Sequence, residues 1–246
     1  MRKLRQTIVL AIVTLTTICA MAQTAKKHEF RGAWLHIIGQ NQYAKMTPEE
    51  TRNYLVGQLN ELKACGVNAV IWQIRPQADA AYPSQIEPWS KWISGTSGVA
   101  PNPVWDPLQF MIDECHKRGM ELHAWINPYR VTSSKTDEPA KGHVYYKHPE
   151  WFVKYADGKI YFDPALPESR NFIDKVVRDI ISRYEVDAIH MDDYFYPYPV
   201  PGVDFPDDAS WEKYGKGQGW TDRGDWRRHN VDLLIEQLHK TLQEVK

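Results

Sequence analysis

Four strand-then-helix units follow one another along this chain, and this order narrows the folds open to it more than any other feature. Alternating short apolar runs and amphipathic stretches predict a strand before each helix. The predicted strands cover residues 31–38, 67–74, 120–127 and 187–194, and the predicted helices cover residues 47–65, 106–118, 169–184 and 226–245. Strands that alternate with helices indicate a parallel sheet of the α/β class.

The connections between these elements are strongly unequal in length. Each helix leads to the next strand in a few residues, whereas the strand-to-helix connections 75–105, 128–168 and 195–225 are long. The second of these connections contains a predicted hairpin over residues 151–162. Long connections in a compact domain are usually functional, and these all lie on one face of the sheet. This pattern is typical of a (β/α) barrel with its site at the carboxyl ends of the strands.

The run from Asp187 to Tyr194 places two adjacent carboxylates at the end of the fourth predicted strand. Side chains alternate faces along a strand, so His190 and Asp192 share one face while Asp193 lies on the other. An isolated Asp-Asp pair more often caps the next segment or pairs with an arginine. Beside a histidine and a run of aromatic residues, the pair favours catalysis, with Asp192 and Asp193 as the candidates.

The other predicted strands bring polar and aromatic side chains to the same end of the barrel. A purely structural barrel interior would use Val, Ile or Leu at these positions. The candidate substrate-binding residues are Trp34, His36, Gln73, Arg75, Tyr82, His123, Trp125, Asn127, Tyr129, Arg130, His190, Tyr194 and Tyr196. Sugar rings stack on aromatic faces and need polar partners around their rims, so this set suggests a carbohydrate ligand. Arg75 and His190 are further predicted to bind the sugar or to keep Asp192 ionised.

Composition and motifs exclude several other classes. Lys plus Arg (30) almost balances Asp plus Glu (31), so no strong field favours nucleic acid or an anionic membrane. The sequence lacks the glycine-rich turn of phosphate sites and the motifs of zincins, serine hydrolases and dinucleotide-binding proteins. We therefore predict no cofactor and no metal.

The amino-terminal residues have the pattern of a secretory signal peptide. A basic start is followed by an uncharged apolar stretch and a small-x-small site at Ala22, which predicts a signal peptide over residues 1–22 and a barrel portion over 23–246. The protein is then exported to the periplasm, the cell envelope or the medium. Cys19 offers a lipoprotein alternative, but the residues before it fit a lipobox poorly. We predict no stable membrane span.

Several segments together resemble the glycosyl hydrolase-like family 10, and they extend over essentially the whole mature chain. The segments are 30–36 (FRGAWLH), 68–76 (NAVIWQIRP), 123–129 (HAWINPY), 187–197 (DAIHMDDYFYP), 204–208 (DFPDD) and 226–228 (WRR). The resemblance implies a TIM-barrel, (β/α)8, glycosidase of bacterial envelopes, related to the α-amylase clan. It also implies that Asp192 is the nucleophile, with His190 two positions earlier and Asn127 as a substrate contact.

The chain departs from that family in one respect. It holds about four βα units, whereas the family's barrel has eight and the clan's general acid lies on the fifth strand. We therefore expect an amino-terminal portion of a longer barrel, or a half-barrel that needs a carboxyl-terminal partner. Because glycoside hydrolysis uses two carboxyl groups, the second is expected outside this sequence.

Two other functions remain open from the sequence. A metal-dependent hydrolase or deacetylase could use His36, His123, His190 and Asp192 as ligands. A glycan-binding protein without catalytic activity would also use the aromatic residues. Metal analysis and the release of reducing ends distinguish these possibilities from a glycosidase.

Overall fold

The computed structural model describes residues 29–156, 158–192 and 194–246. The chain divides into two units, and the larger of them, Gly32–Lys246, contains all the helices and strands named below. The signal-peptide prediction and Cys19 lie outside the described residues, and so does Asp193.

A parallel sheet of four strands forms the centre of the described fold, which confirms the predicted α/β class. Its strands are β1 (Gly32–Leu35), β2 (Ala69–Arg75), β3 (Glu121–Ile126) and β6 (Ala188–His190). They are hydrogen-bonded in the order β1-β2-β3-β6. The order follows the chain, as it does along the wall of a (β/α) barrel.

Four long helices follow the four strands of this sheet. They are α1 (Pro48–Ala64), α2 (Pro107–Lys117), α3 (Pro167–Arg183) and α4 (Arg223–Val245). The predicted capping box at Thr47 is present, because its side chain accepts from the Glu50 amide while the Glu50 carboxylate accepts from the Thr47 amide. Asp106 caps α2 in the predicted way.

A short antiparallel hairpin occupies the β3–α3 connection, as predicted. It consists of β4 (Phe152–Lys154) and β5 (Ile160–Phe162). The amide of Phe162 donates to the carbonyl of Tyr129 at 2.8 Å and the amide of Val131 donates to that of Ile160 at 3.0 Å. The hairpin is thereby attached to the segment that leaves β3.

The two faces of the sheet differ sharply in their surroundings. One face carries apolar side chains such as Val70, Trp72 and Leu122, which are fully buried against the apolar stripes of the helices. The strand registers place Trp34, Gln73, Trp125 and His190 together on the opposite face. The predicted alternation of polar-aromatic and apolar positions is therefore confirmed over the paired part of the strands.

The register of β2 shifts near its carboxyl end. Gln73 pairs with Trp125, but Arg75 pairs with Ile126, so Ile74 is an additional residue in β2. Such a bulge changes the face to which the following side chain points. Simple alternation, which placed Gln73 and Arg75 on the same face, fails at this position.

The fourth sheet strand is shorter than predicted. Pairing ends at His190, so Asp192 follows the strand instead of belonging to it. Alternation along a strand consequently cannot determine where the Asp192 side chain points. Among the described residues, no helix is long and apolar enough to cross a membrane.

Candidate active site

A cluster of aromatic rings lies on the open face of the sheet. The indole nitrogen of Trp34 donates to Nε2 of His190 at 3.2 Å. The ring of Trp34 lies 5.9 Å from that of Trp125 and 5.7 Å from that of His190. Trp34 keeps 60% of its surface exposed. The cluster thus offers a wide aromatic surface to solvent at the centre of the sheet.

Two histidines adjoin this cluster. His123 contacts the carboxylate of Glu121 at 2.9 Å. Partial burial is the main cause that lowers the pKa of His190, and the neighbouring His123 lowers it further, while Asp192 opposes the shift. The shift favours the neutral form of His190, which is the form that can accept the hydrogen bond from Trp34.

Asp192 lies just beyond the carboxyl end of β6, at the edge of the aromatic cluster. Its Oδ1 accepts the amide of Tyr194 at 3.0 Å, which fixes the carboxylate in a turn of the backbone. The side chain is half-buried, so it is both held in position and accessible. Such a carboxylate can use its other oxygen, Oδ2, for chemistry.

Arg130 supplies the positive charge on this side of the sheet. Its Nε donates to the carbonyl of Pro76 at 3.0 Å, and its guanidinium lies 4.9 Å from the ring centre of Tyr194. Burial lowers the pKa of Arg130, whereas the Asp192 carboxylate has the strongest opposing effect. The sequence prediction named Arg75 and His190 as the basic residues beside Asp192, whereas the structure couples Arg130 to this carboxylate.

Asn127 is fully buried and links the ends of β3 and β6. Its Oδ1 accepts the amide of Arg130 at 2.8 Å, and its Nδ2 donates to the carbonyl of Tyr194 at 3.4 Å. Both ends of its amide group are thus occupied by the protein. The substrate contact that the family resemblance implied for Asn127 is replaced by a positioning role.

Arg75 is turned away from the open face by the bulge in β2. Its guanidinium forms two hydrogen bonds with Glu87, at 2.6 and 2.8 Å, and a third with the carbonyl of Asn127 at 2.5 Å. The side chains of Arg75 and Glu87 are 0% and 1% exposed. The predicted role of Arg75 as a sugar contact, or as the charge beside Asp192, must therefore be corrected to a buried structural ion pair.

Gln73 and His36 both act at the end of β1. Gln73 is fully buried, and its Oε1 accepts the amides of Ile37 and Ile38, each at 3.1 Å. His36 is exposed and contacts the side chain of Gln40 at 2.7 Å. Gln73 thus shapes the segment that follows β1, and of the two only His36 has surface open to a ligand.

Three of the predicted tyrosines point into the protein. Tyr82 and Tyr129 have no exposed surface and pack edge-on against Tyr184 and Phe195. Tyr196 packs against Phe205, with ring centres 5.2 Å apart. Burial raises the pKa of all three phenols. Their predicted contact with substrate is accordingly replaced by packing beneath the loops, and only Tyr194 keeps its place beside Asp192.

Two buried titratable groups lie in the connections that follow β2 and β3. The Asp79 carboxylate accepts the amide of Gln77 at 3.0 Å, and burial raises the pKa of Asp79 to about 6. The Nδ1 atom of His143 accepts the amide of Tyr145 at 2.9 Å. Burial, followed by the nearby charge of Arg75, lowers the pKa of His143 to about 4.

The structure also identifies a contact that strand alternation did not predict. Tyr155, in the turn of the β4–β5 hairpin, donates its hydroxyl to the carbonyl of Val203 at 3.0 Å and accepts the amide of Val200 at 2.8 Å. Both partners lie in the loop that follows Asp192. In the sequence, only the predicted hairpin pointed to this contact, because the hairpin is long enough to reach that loop.

No metal centre is evident within residues 29–156, 158–192 and 194–246, where no three His, Cys, Asp or Glu side chains are grouped to hold an ion. His36, His123 and His190 instead contact Gln40, Glu121 and Trp34, respectively. The three histidines are thus engaged separately.

Comparisons with known proteins agree on one family. The sequence profile described as Glycosyl hydrolase-like 10 matches residues 29–246. Glycosyl hydrolase YngK of Bacillus subtilis (strain 168) is 41% identical over 232 residues, which are 92% of this chain and 44% of that protein. Glycosyl hydrolase DigH of Escherichia coli (strain K12) is 34% identical over 238 residues, which are 88% of this chain and 52% of DigH. The chain thus spans about half the length of these curated relatives.

Solved structures of TIM-barrel glycosidases share the fold. An α-L-fucosidase isoenzyme 2 from Paenibacillus thiaminolyticus superposes with a TM-score of 0.56 and 12% identity, over 89% of this chain and 31% of that enzyme. A GH20 exo-β-N-acetylglucosaminidase from Vibrio harveyi gives a TM-score of 0.54 and 16% identity, over 89% and 34% of the two chains. The four-stranded sheet corresponds to part of such a barrel.

Proposed function

Because the chain belongs to the glycosyl hydrolase-like 10 family, we propose that it acts as a glycoside hydrolase on a complex or cell-wall polysaccharide. One observation carries the proposal beyond family membership. Asp192 follows the carboxyl end of a barrel strand, and its carboxylate interacts electrostatically with Arg130 and with His190 of the aromatic cluster. A sugar ring can stack on the aromatic cluster while its anomeric carbon faces Oδ2 of Asp192.

In this proposal Asp192 is the nucleophile or the base. The hydrogen bond that its Oδ1 accepts from the Tyr194 amide keeps the carboxylate from rotating, and the guanidinium of Arg130 supplies a neighbouring positive charge. His190 accepts the hydrogen bond of the Trp34 indole and thereby orients that ring. Trp34 and Trp125 provide the apolar surface for the sugar, and Asn127 holds Arg130 and the Tyr194 backbone in place.

The reaction needs a second carboxyl group, whose distance from the first decides whether the anomeric configuration is retained or inverted. The curated relatives are about twice as long as the part that this chain matches. We propose that the general acid belongs to the part of their length that the present sequence does not cover. The partner carboxylate would then lie on a later strand of the same barrel.

We further propose that the protein is exported, with its signal peptide removed after Ala22. The support is the sequence pattern of residues 1–22. Amino-terminal sequencing of the protein recovered from the periplasm or the medium should begin at Gln23. A protein that starts at Met1 in the cytoplasmic fraction would contradict export.

The hydrolase proposal is tested with a panel of polysaccharides. Purified bacterial cell-wall glycan and soluble chitin, xylan and α-glucan oligosaccharides are incubated with the protein expressed from its complete coding sequence, and new reducing ends are measured. Release that disappears in Asp192→Asn supports the proposal. Glycan binding without release, equal in both proteins, favours the non-catalytic alternative. Neither binding nor release on the whole panel contradicts the assignment.

A further inference from the structure

The loop that follows Asp192 exposes one aromatic ring that the proposed site does not yet use. Tyr198 keeps 60% of its surface exposed, whereas Tyr196, two residues earlier, is packed against Phe205. Tyr194 and Tyr196 are both half-buried. Of the three tyrosines of this short loop, Tyr198 is therefore the exposed one.

The exposed ring is connected to the candidate nucleophile through a short series of contacts. The Tyr194 amide binds Asp192, and the ring of Tyr194 lies against the Arg130 guanidinium. Tyr198 then packs edge-on against Tyr194, with ring centres 5.2 Å apart and an interplanar angle of 80°. The ring of Tyr198 is thus linked to Asp192 through a single residue, Tyr194.

The backbone that carries this ring is stiff for two independent reasons. Pro197 and Pro199 flank Tyr198 and restrict its backbone from both sides. The hydroxyl of Tyr155 also restrains the loop, because it accepts a hydrogen bond from the amide of Val200 and donates one to the carbonyl of Val203. A ring held in place before binding loses little freedom when a ligand stacks on it.

We propose that Tyr198 is the stacking platform of a second sugar subsite, next to the ring bound at Asp192. The ligand is a glycan of at least two rings, and its outer ring contacts Tyr198 through its apolar C–H face. This inference rests on the proposed function. It extends that function by assigning the β6–α4 loop to the recognition of chain length.

The test separates binding from hydrolysis by using Asp192→Asn as the background, since that change blocks turnover. The protein is applied to an array of oligosaccharides of one to six rings, and the bound glycans are then titrated by calorimetry. Tyr198→Ala should weaken the binding of glycans with two or more rings about tenfold and leave single sugars unaffected. Tyr198→Phe should bind like the parent, because the ring face carries the contact.

Tyr146→Ala is the matched control. Tyr146 is similarly exposed, at 55%, but it lies in the β3–α3 connection and bonds to the carbonyl of Pro139. If Tyr198→Ala binds long glycans as tightly as Tyr146→Ala does, the subsite is wrong while the hydrolase proposal stands. If Tyr198→Ala weakens single sugars equally, the residue belongs to the first subsite and the inference is again overturned. If the parent protein binds none of the glycans, both proposals fail.

Discussion

Asp192 carries the proposed chemistry, although it follows the paired part of β6. Strand pairing of β6 ends at His190, so the strand does not set the position of the carboxylate. The carboxylate is instead positioned by the hydrogen bond from the Tyr194 amide and by the neighbouring Arg130. The sequence identified the residue from its place after a buried strand. It could not identify the cation, because Arg130 lies 62 positions earlier in the chain, in a connection without regular periodicity.

In the protein expressed from its complete coding sequence, Asp192→Asn should reduce the proposed glycosidase activity by several orders of magnitude, since the amide can act neither as nucleophile nor as base. The melting temperature and the binding of glycan should stay close to those of the parent. Initial rates of reducing-end release measure the first effect. Asp113→Asn, on the exposed surface of α2, serves as the control and should keep full activity. Near-normal turnover in Asp192→Asn would remove the residue from the chemistry.

Replacing Arg75 should affect stability before it affects activity. Arg75→Met leaves the Glu87 carboxylate buried without its partner, which costs about 3–5 kcal/mol of unfolding free energy. The double variant Arg75→Met, Glu87→Leu should recover much of that loss, because no unpaired charge remains. Urea unfolding monitored by circular dichroism gives both values. A single variant as stable as the parent would argue against a structural ion pair.

The stability of the fold should depend on pH through His143 and Asp79 with opposite signs. The pKa of His143 lies below its ordinary value near 6.5, at about 4, so below about pH 6.5 the unfolded chain binds a proton that the folded chain rejects. The advantage of the parent over His143→Asn should therefore shrink as the pH falls from about 6.5 to about 4.

Asp79 gives the reverse trend. Its pKa is raised to about 6, above its ordinary value near 3.9, so the folded chain holds a proton that the unfolded chain releases. The advantage of the parent over Asp79→Asn should shrink as the pH rises from about 4 to about 6. Thermal unfolding of the three proteins across this range tests both signs. Parallel curves for all three would show that neither group titrates differently on unfolding.

The elements themselves were largely predictable, because the long helices carry apolar stripes and two of the four also carry a start signal. Thr47 and Asp106 are examples of caps that can be read directly from the sequence. The bulge at Ile74 was not predictable, since it changes the pairing partner without changing the apolar pattern. This single additional residue accounts for the misplacement of Arg75.

The contact between the hairpin and the β6–α4 loop makes a prediction at the level of elements. Tyr155→Phe removes the acceptor of the Val200 amide and the donor to the Val203 carbonyl while keeping the ring. The loss of two partly buried hydrogen bonds should cost about 1–3 kcal/mol of local stability. Hydrogen exchange of the Val200 amide should become faster, with the β2 amides as an internal control. Unchanged exchange at Val200 would mean that the prolines alone fix the loop.

At the scale of the whole molecule, the described sheet has two outer strands and one open face. β1 and β6 each pair with a single neighbour in the described part of the chain, and Trp34 is exposed between them. Open parallel edges and an aromatic face favour association. The candidate site is also confined to this part of the barrel, because all the residues that sequence patterns could assign to it come from the four strands and their loops.

The isolated chain should therefore associate as its concentration rises. Trp34→Lys should weaken this association by placing a charge at the centre of the open face. Val104→Lys provides the control, since Val104 is comparably exposed, at 69%, but lies in the β2–α2 connection. Sedimentation velocity across a hundredfold range of concentration gives the result. A parent protein that remains monomeric throughout would show that the open face is protected in some other way.

The bond between Trp34 and His190 also fixes a tautomer. An indole nitrogen can only donate, so Nε2 of His190 must be the acceptor, and the single proton of the neutral ring then resides on Nδ1. Acidification places a second proton on Nε2, and the Trp34 indole then loses its hydrogen-bond acceptor. Protonation of His190 should consequently change the surroundings of the Trp34 indole at the proposed site.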